Sequence, residues 1–191
     1  MTTIADAGQF RVLNGVHLKK MTTAAGLADA TGVPPDQTSA VLQAAVKEGL
    51  VLDFDGKFLL APRGTAAVQE YYAEVYRHLR TDHAVVAWYE RFENLNRQFI
   101  RQVTDWQTSE GDQRARERIL KSAERLVRSI QDLIPLLPRY QDYARRFAAS
   151  IALVDQGKSE FICNPTVDSV HNIWFEFHED VLTVLGRPRD V

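Results

Sequence analysis

Residues 50–60 read Leu50-Val51-Leu52-Asp53-Phe54-Asp55-Gly56-Lys57-Phe58-Leu59-Leu60. Two apolar runs meet at Asp55-Gly56. Asp-Gly between such runs is the strongest short-range sign of a β-hairpin, because a type I′ turn needs positive φ at both central residues. Gly49, directly before the first run, ends the helix expected over about 35–48. That helix starts at Pro35, a residue suited to a first helical turn. Its expected apolar set is Ala40, Val41, Ala44 and Leu42/Val46.

Working back from the hairpin, Thr31-Gly32-Val33-Pro34-Pro35 reads as a turn with Gly32 as a left-handed cap. Thr22 or Thr23 can cap a short helix through Asp29, with Leu27 and Ala28 facing inward. Residues 7–20 form a further helix candidate, in which Phe10, Leu13, Val16/His17 and Lys20 follow a 3–4 spacing. The order is helix, short helix, turn, helix, two-residue hairpin.

That order resembles the winged helix-turn-helix of MarR-like and GntR-like bacterial regulators. Leu27-Ala28-Asp29-Ala30-Thr31-Gly32 resembles the second helix and turn of that superfamily. Ala45-Val46-Lys47-Glu48-Gly49-Leu50-Val51 resembles the end of its recognition helix. Leu60-Ala61-Pro62-Arg63-Gly64 is similar to the Leu-Thr-x-x-Gly exit from a MarR-like wing, with Ala61 in place of Thr. The resemblance covers about a third of the chain and implies a helix that enters the major groove beside a wing on the backbone. The residues that would read base edges are Gln37, Thr38, Ser39 and Gln43. Phosphate contacts would come from Lys19, Lys20, Lys47, Lys57 and Arg63. A scaffold or protein-contact role for the same fold stands beside this reading.

Composition changes near residue 66, so the expected division is a winged helix-turn-helix over 1–66 and an all-α helical bundle over 67–191. Seven of ten glycines lie in residues 1–66, and fifteen of eighteen aromatics lie after them. Helices are expected near 64–80, 83–107, 112–134, 136–157 and 166–185, which suits a bundle. The helix over 83–107 carries Val85, Trp88/Tyr89, Phe92, Leu95, Phe99, Val103 and Trp106 on one face. Asn96 shares that face and needs a partner, since a buried unpaired amide costs about 1–3 kcal/mol.

The last helix shows the same anomaly. Asp168, His171 and His178 are expected on one side with Val170, Trp174 and Phe177. Three readings stay open: satisfied structural groups, a small-ligand pocket of Asn96, Trp106, Asp168, His171, Trp174 and His178, or a metal site. His171 and His178 are ~10.5 Å apart along a straight helix, too far to share one ion. GntR-like regulators with helical effector domains often bind a metal through Asp and several His, but the full His set has no match here, so no metal or cofactor is expected. Residues 168–180 and the blocks Tyr89–Phe99 and Thr104–Gln107 resemble actinobacterial MarR-like proteins. True MarR proteins lack so large a separate helical part.

The chain has 191 residues, with 23 Lys+Arg against 25 Asp+Glu and a net charge of −2. A 45% hydrophobic and 25% charged composition excludes global disorder, and the near-neutral charge argues against a non-specific polyanion binder. Residues 1–66 carry six basic and six acidic side chains, so DNA binding by this part depends on where a few lysines stand. The run Arg114, Arg116, Arg118, Lys121, Arg125 and Arg128, interleaved with Glu117 and Glu124, reads as a solvated ion-paired face or as an anion contact. Cys163 is the single cysteine, so neither an intramolecular disulfide nor a multi-cysteine metal site is possible. No phosphate-cradling glycine loop, Gly-x-Ser-x-Gly elbow or His-Glu-x-x-His is present. Cys163, His171 and His178 are the only residues that suggest catalysis, and no enzyme is expected. No run reaches the ~18 apolar residues of a membrane span, nor does the N-terminus resemble a signal peptide. The expectation is a cytoplasmic homodimer that binds double-stranded DNA and responds to a small-molecule effector.

Overall fold

The computed structural model describes residues 4–109 and 111–188. It is mainly helical, at 72% helix, with nine α-helices among the described residues and a small three-stranded antiparallel sheet. The elements are α1 (Ala7–Lys19), β1 (Thr22–Thr23), α2 (Ala24–Thr31), α3 (Pro35–Lys47), β2 (Val51–Phe54) and β3 (Lys57–Leu60). They continue as α4 (Pro62–Val75), α5 (His83–Thr108), α6 (Gln113–Ile130), α7 (Tyr140–Asp155), α8 (Glu160–Cys163) and α9 (Val170–Leu185). A 3₁₀ turn, Arg77–Thr81, follows α4. Contacts divide the chain into Met1–Arg80 with Glu179–Val191, and Thr81–His178. The composition change near residue 66 marks neither boundary: α4 belongs with the first unit.

The first unit is built by local signals acting in sequence. Asp6 caps α1 by accepting from the Gln9 amide, and Thr23 caps α2 by accepting from the Gly26 amide. Gly32 ends α2 with φ 64°. The hairpin closes through Asp55 (φ 51°) and Gly56 (φ 79°), as type I′ requires. The Asp53 carboxylate accepts from the Gly56 amide at 2.9 Å and holds the turn. The strand order is β1-β3-β2. Its register places Leu52 opposite Leu59, Phe54 opposite Lys57, and Thr23 beside Lys57. β1 is absent from the sequence reading because two threonines have no periodicity to detect.

The core of this unit gathers Phe10, Leu13, Val16, Leu27, Leu42, Leu50, Val68 and Tyr72, all fully or nearly fully buried. Phe10 stacks on Tyr71 at 4.0 Å between centroids and meets Tyr72 edge-on. α3 turns differently from expectation: it buries Thr38, Leu42 and Ala45, and leaves Ala40, Ala44 and Val46 exposed. Alanine fits either face, so the Thr38-Leu42-Ala45 stripe decides.

The second unit packs α5, α6, α7 and the first turns of α9 around Trp88, Phe92, Phe99, Ile119, Leu126, Phe147, Trp174 and Phe177. The Trp88 indole donates to the Ser129 carbonyl at 2.8 Å, pinning α5 to the end of α6. α6 stops at Ile130, four residues before the expected end, and α7 starts at Tyr140. Turns occupy the interval that holds Pro135 and Pro138, since neither proline can donate to a preceding turn.

Candidate functional site

α3 and the hairpin that follows it both present exposed side chains. Gln37 and Gln43 are exposed, Ser39 is half-buried, and Lys47 is exposed at the last turn. Ala40 and Ala44 lie between them, so the middle of this face is low and flanked by amides. Thr38 does not belong to it: it is fully buried, and its hydroxyl donates to the Val33 carbonyl at 3.2 Å. A Thr on an apolar face satisfies its one polar group locally, which corrects its expected role in base reading.

The expected phosphate contacts divide. Lys57 is exposed on β3, and Lys20 is exposed just past α1. Lys19 is half-buried. Arg63 donates to the Glu48 carbonyl at 3.2 Å and so serves the C-terminal end of α3, where the helix dipole favours a cation. On the hairpin, Leu52 (42% exposed) and Phe54 (56%) alternate onto one face. Leu59 stands opposite Leu52 on that face.

In the second unit, four of the residues singled out from the sequence have partners within the bundle. The Trp174 indole donates to Asn96 Oδ1 at 2.9 Å, and its ring stacks on Phe99 at 3.7 Å between centroids. Asn96 therefore meets its desolvation cost with a tryptophan. His178 Nε2 lies 3.4 Å from both Tyr89 OH and Glu93 Oε1. Asp168 precedes α9 and turns to α7, where it accepts from Arg146 Nε at 2.7 Å and Nη2 at 2.5 Å. His171 is half-buried beside Phe99, and burial lowers its pKa. Trp106 is half-buried near the end of α5, ten residues and so ~15 Å along the helix from Asn96. The grouping of these six as one pocket does not carry over to Asp168 and Trp106.

Arg146 was not legible as a site residue. It is 5% exposed and also pairs with Glu176 Oε2 at 2.7 Å. Burial alone would lower its pKa; the hydrogen bond to Asp168 and the charges of Glu176 and Asp168 outweigh that and raise it. The guanidinium is thus a permanent charge, and Ser150 adds a hydrogen bond to the Asp168 carbonyl.

A second buried polar group lies in the first unit. Tyr72 OH is 2.8 Å from Asn14 Oδ1 and 2.9 Å from Asp180 Oδ1, and Asn14 Nδ2 donates to Asp180 Oδ2 at 3.4 Å. Asn14 is an amide on the apolar face of α1, the same signal that marks Asn96. His17 follows it, with its pKa lowered by burial and Lys20 against the opposing pull of Asp180 and Glu179.

Burial pushes the Cys163 thiol up to about 11, so it is a weak nucleophile at neutral pH. Among the described residues no group of three or more His, Cys, Asp or Glu could hold a metal ion. Nor is any described helix long and apolar enough to cross a membrane. A scan against family models gives no match, and neither do searches of the curated proteins and of the solved structures.

Proposed function

We propose that the first unit is a winged helix-turn-helix that binds double-stranded DNA, with α3 as the reading helix and β2–β3 as the wing. The order α1-β1-α2-α3-β2-β3 and the strand order β1-β3-β2 support the fold assignment. The observation that carries the function is the outer face of α3. Gln37 and Gln43 are exposed there around two alanines, with Lys47 at the end. Amide side chains can pair bidentately with adenine edges, and small neighbours allow close approach. Gln37, Ser39 and Gln43 read bases, while Lys47, Lys57 and Lys20 touch phosphates.

The test is selection of duplexes from a random library by the full chain, followed by anisotropy titration of the enriched sequence. Gln37→Ala and Gln43→Ala are expected to lose roughly 1–3 kcal/mol of discrimination each. Lys47→Gln is expected to weaken all sequences alike. Absence of any enriched sequence refutes the proposal.

A second reading, a protein-contact module, is favoured by the wing. Leu52, Phe54 and Leu59 give it an apolar face, with Asp53 and Asp55 at its tip. A phosphate backbone gains nothing from such a surface. In that reading Leu52→Ser/Phe54→Ser converts a homodimer to monomer in sedimentation, and the α3 variants change nothing.

A further inference from the structure

A dense run of cations lies outside α3 and the wing. α6 carries six basic residues against Glu117 and Glu124, in a chain whose net charge is −2. Arg114, Arg118, Lys121, Arg125 and Arg128 follow one another at spacings of four and three, which aligns them along one face over ~21 Å. All five are exposed, while Ala115, Ile119, Ala123, Leu126 and Ile130 on the opposite side are fully buried. Arg116 is turned aside and pairs with Asp155 at 3.1 Å.

The stripe is not neutralised by its neighbours. Arg118 meets Asp105 at 3.2 Å and Arg128 meets Glu124 at 3.9 Å, both between exposed groups, where ion pairs are weak and easily exchanged. Among the described residues Arg114, Lys121 and Arg125 have no ion pair. On α5, Gln98, Arg101 and Gln102 border an open groove of about 430 Å³ that Arg118 and Asp105 also line. Exposed Arg101 thereby adds a further cation beside the stripe.

We infer that this face of α6 is a phosphate-backbone contact for duplex DNA. Four of its five cations are arginine, whose planar fork matches phosphate oxygens bidentately. Its length spans about six base-pair steps at 3.4 Å each. The apolar side of α6 is used up in the bundle core, so the helix has nothing to insert into a lipid layer. Duplex DNA is chosen as occupant on the reading of the first unit given above. Residues 1–66 have no net charge, so α6 adds sequence-independent attraction to the little that Lys20, Lys47 and Lys57 supply.

The experiment uses the full chain and a labelled 24-base-pair duplex of random sequence, with anisotropy read across a salt series. The variant is Arg114→Gln/Lys121→Gln/Arg125→Gln, at three exposed positions that leave the core intact; an unchanged melting curve verifies this. At about 0.9 per phosphate contact, the slope of log affinity against log salt is expected to fall by about 2.7, with affinity more than tenfold weaker at 0.1 M salt. Lys121→Arg retains the wild-type slope. Gln37→Ala/Gln43→Ala keeps this slope and, titrated beside it with the enriched duplex of the selection above, loses only sequence preference. An unchanged slope in the triple variant overturns the inference; if the Gln37/Gln43 variant still loses preference, the reading of α3 survives alone. A reduced slope with no effect of the Gln37/Gln43 variant leaves α6 standing and removes α3. Failure of the wild type to bind duplex overturns both, including the case in which it binds only vesicles containing phosphatidylserine.

Discussion

Gly64→Ala sets two known effects of opposite sign against each other. Gly64 lies in the first turn of α4 and is buried. In an open helix, alanine for glycine would add about 0.8–1.0 kcal/mol of stability. Here a Cβ would stand 2.0 Å from the Leu50 carbonyl oxygen and 2.9 Å from its carbon, and both are backbone atoms that cannot rotate away. That carbonyl already accepts from the Ala61 amide at 2.9 Å. Relieving the overlap requires α4 to move off the start of β2. Overpacking of this kind costs roughly 1–3 kcal/mol, and loosening the hydrogen bond adds about 1 kcal/mol. Subtracting the helix gain leaves a net loss of about 1–3 kcal/mol, or a fall in melting temperature of roughly 2–12 °C for a chain of this size. Circular-dichroism melts read it, with exposed Gln69→Ala in the same helix as a control that changes stability by at most ~0.5 kcal/mol. A Gly64→Ala chain that melts at or above the wild-type temperature refutes the argument. The glycine at the hairpin exit would then have no packing role.

Arg146→Met is expected to destabilise the second unit by roughly 3–5 kcal/mol, because it strands the buried Glu176 carboxylate; half-exposed Asp168 adds little to that. Arg146→Met/Glu176→Leu should recover most of the loss in denaturant titration, and a double variant as unstable as the single one would show that the charge pair is not the cause. For pH, His17 and His171 both have pKa values lowered from 6.5 in the folded chain. The unfolded chain then binds protons more readily, so stability is lost as pH falls through about 6.5 and is unaffected well above it. His17→Gln/His171→Gln should flatten the fall in melting temperature between pH 7.5 and 5.5; superimposable pH profiles for wild type and variant would contradict it.

The sequence is legible where a local rule forces the outcome. Asp55-Gly56 can close the hairpin in one way, and Gly32 and Pro35 delimit the turn before α3. It is ambiguous where a residue suits two environments. Ala40 and Ala44 fit core or surface, and Thr38 looks polar until its hydroxyl finds the Val33 carbonyl five residues back. It is silent where the partner is remote. Arg146 resembles any surface arginine on α7, and only the meeting with Asp168, 22 residues on, and Glu176 makes it a core residue. Asn96 falls between these cases: its position announces a need for a partner, but the sequence does not say that Trp174 fills it.

Tyr72 and Asn14 find their carboxylate in Asp180, 108 and 166 residues away. The first unit is therefore discontinuous along the chain, and this governs its order of assembly. During synthesis, residues 4–80 emerge with Tyr72 able to pair with Asn14 but without the Asp180 carboxylate that both side chains meet, until α9 has left the ribosome. A shortened chain stopping at Arg80 keeps the hairpin and α3 but presents Tyr72 and Asn14 to an unfilled slot. Any fragment meant to isolate α3 and the wing needs the 179–188 segment returned to it, by a linker or as a separate peptide.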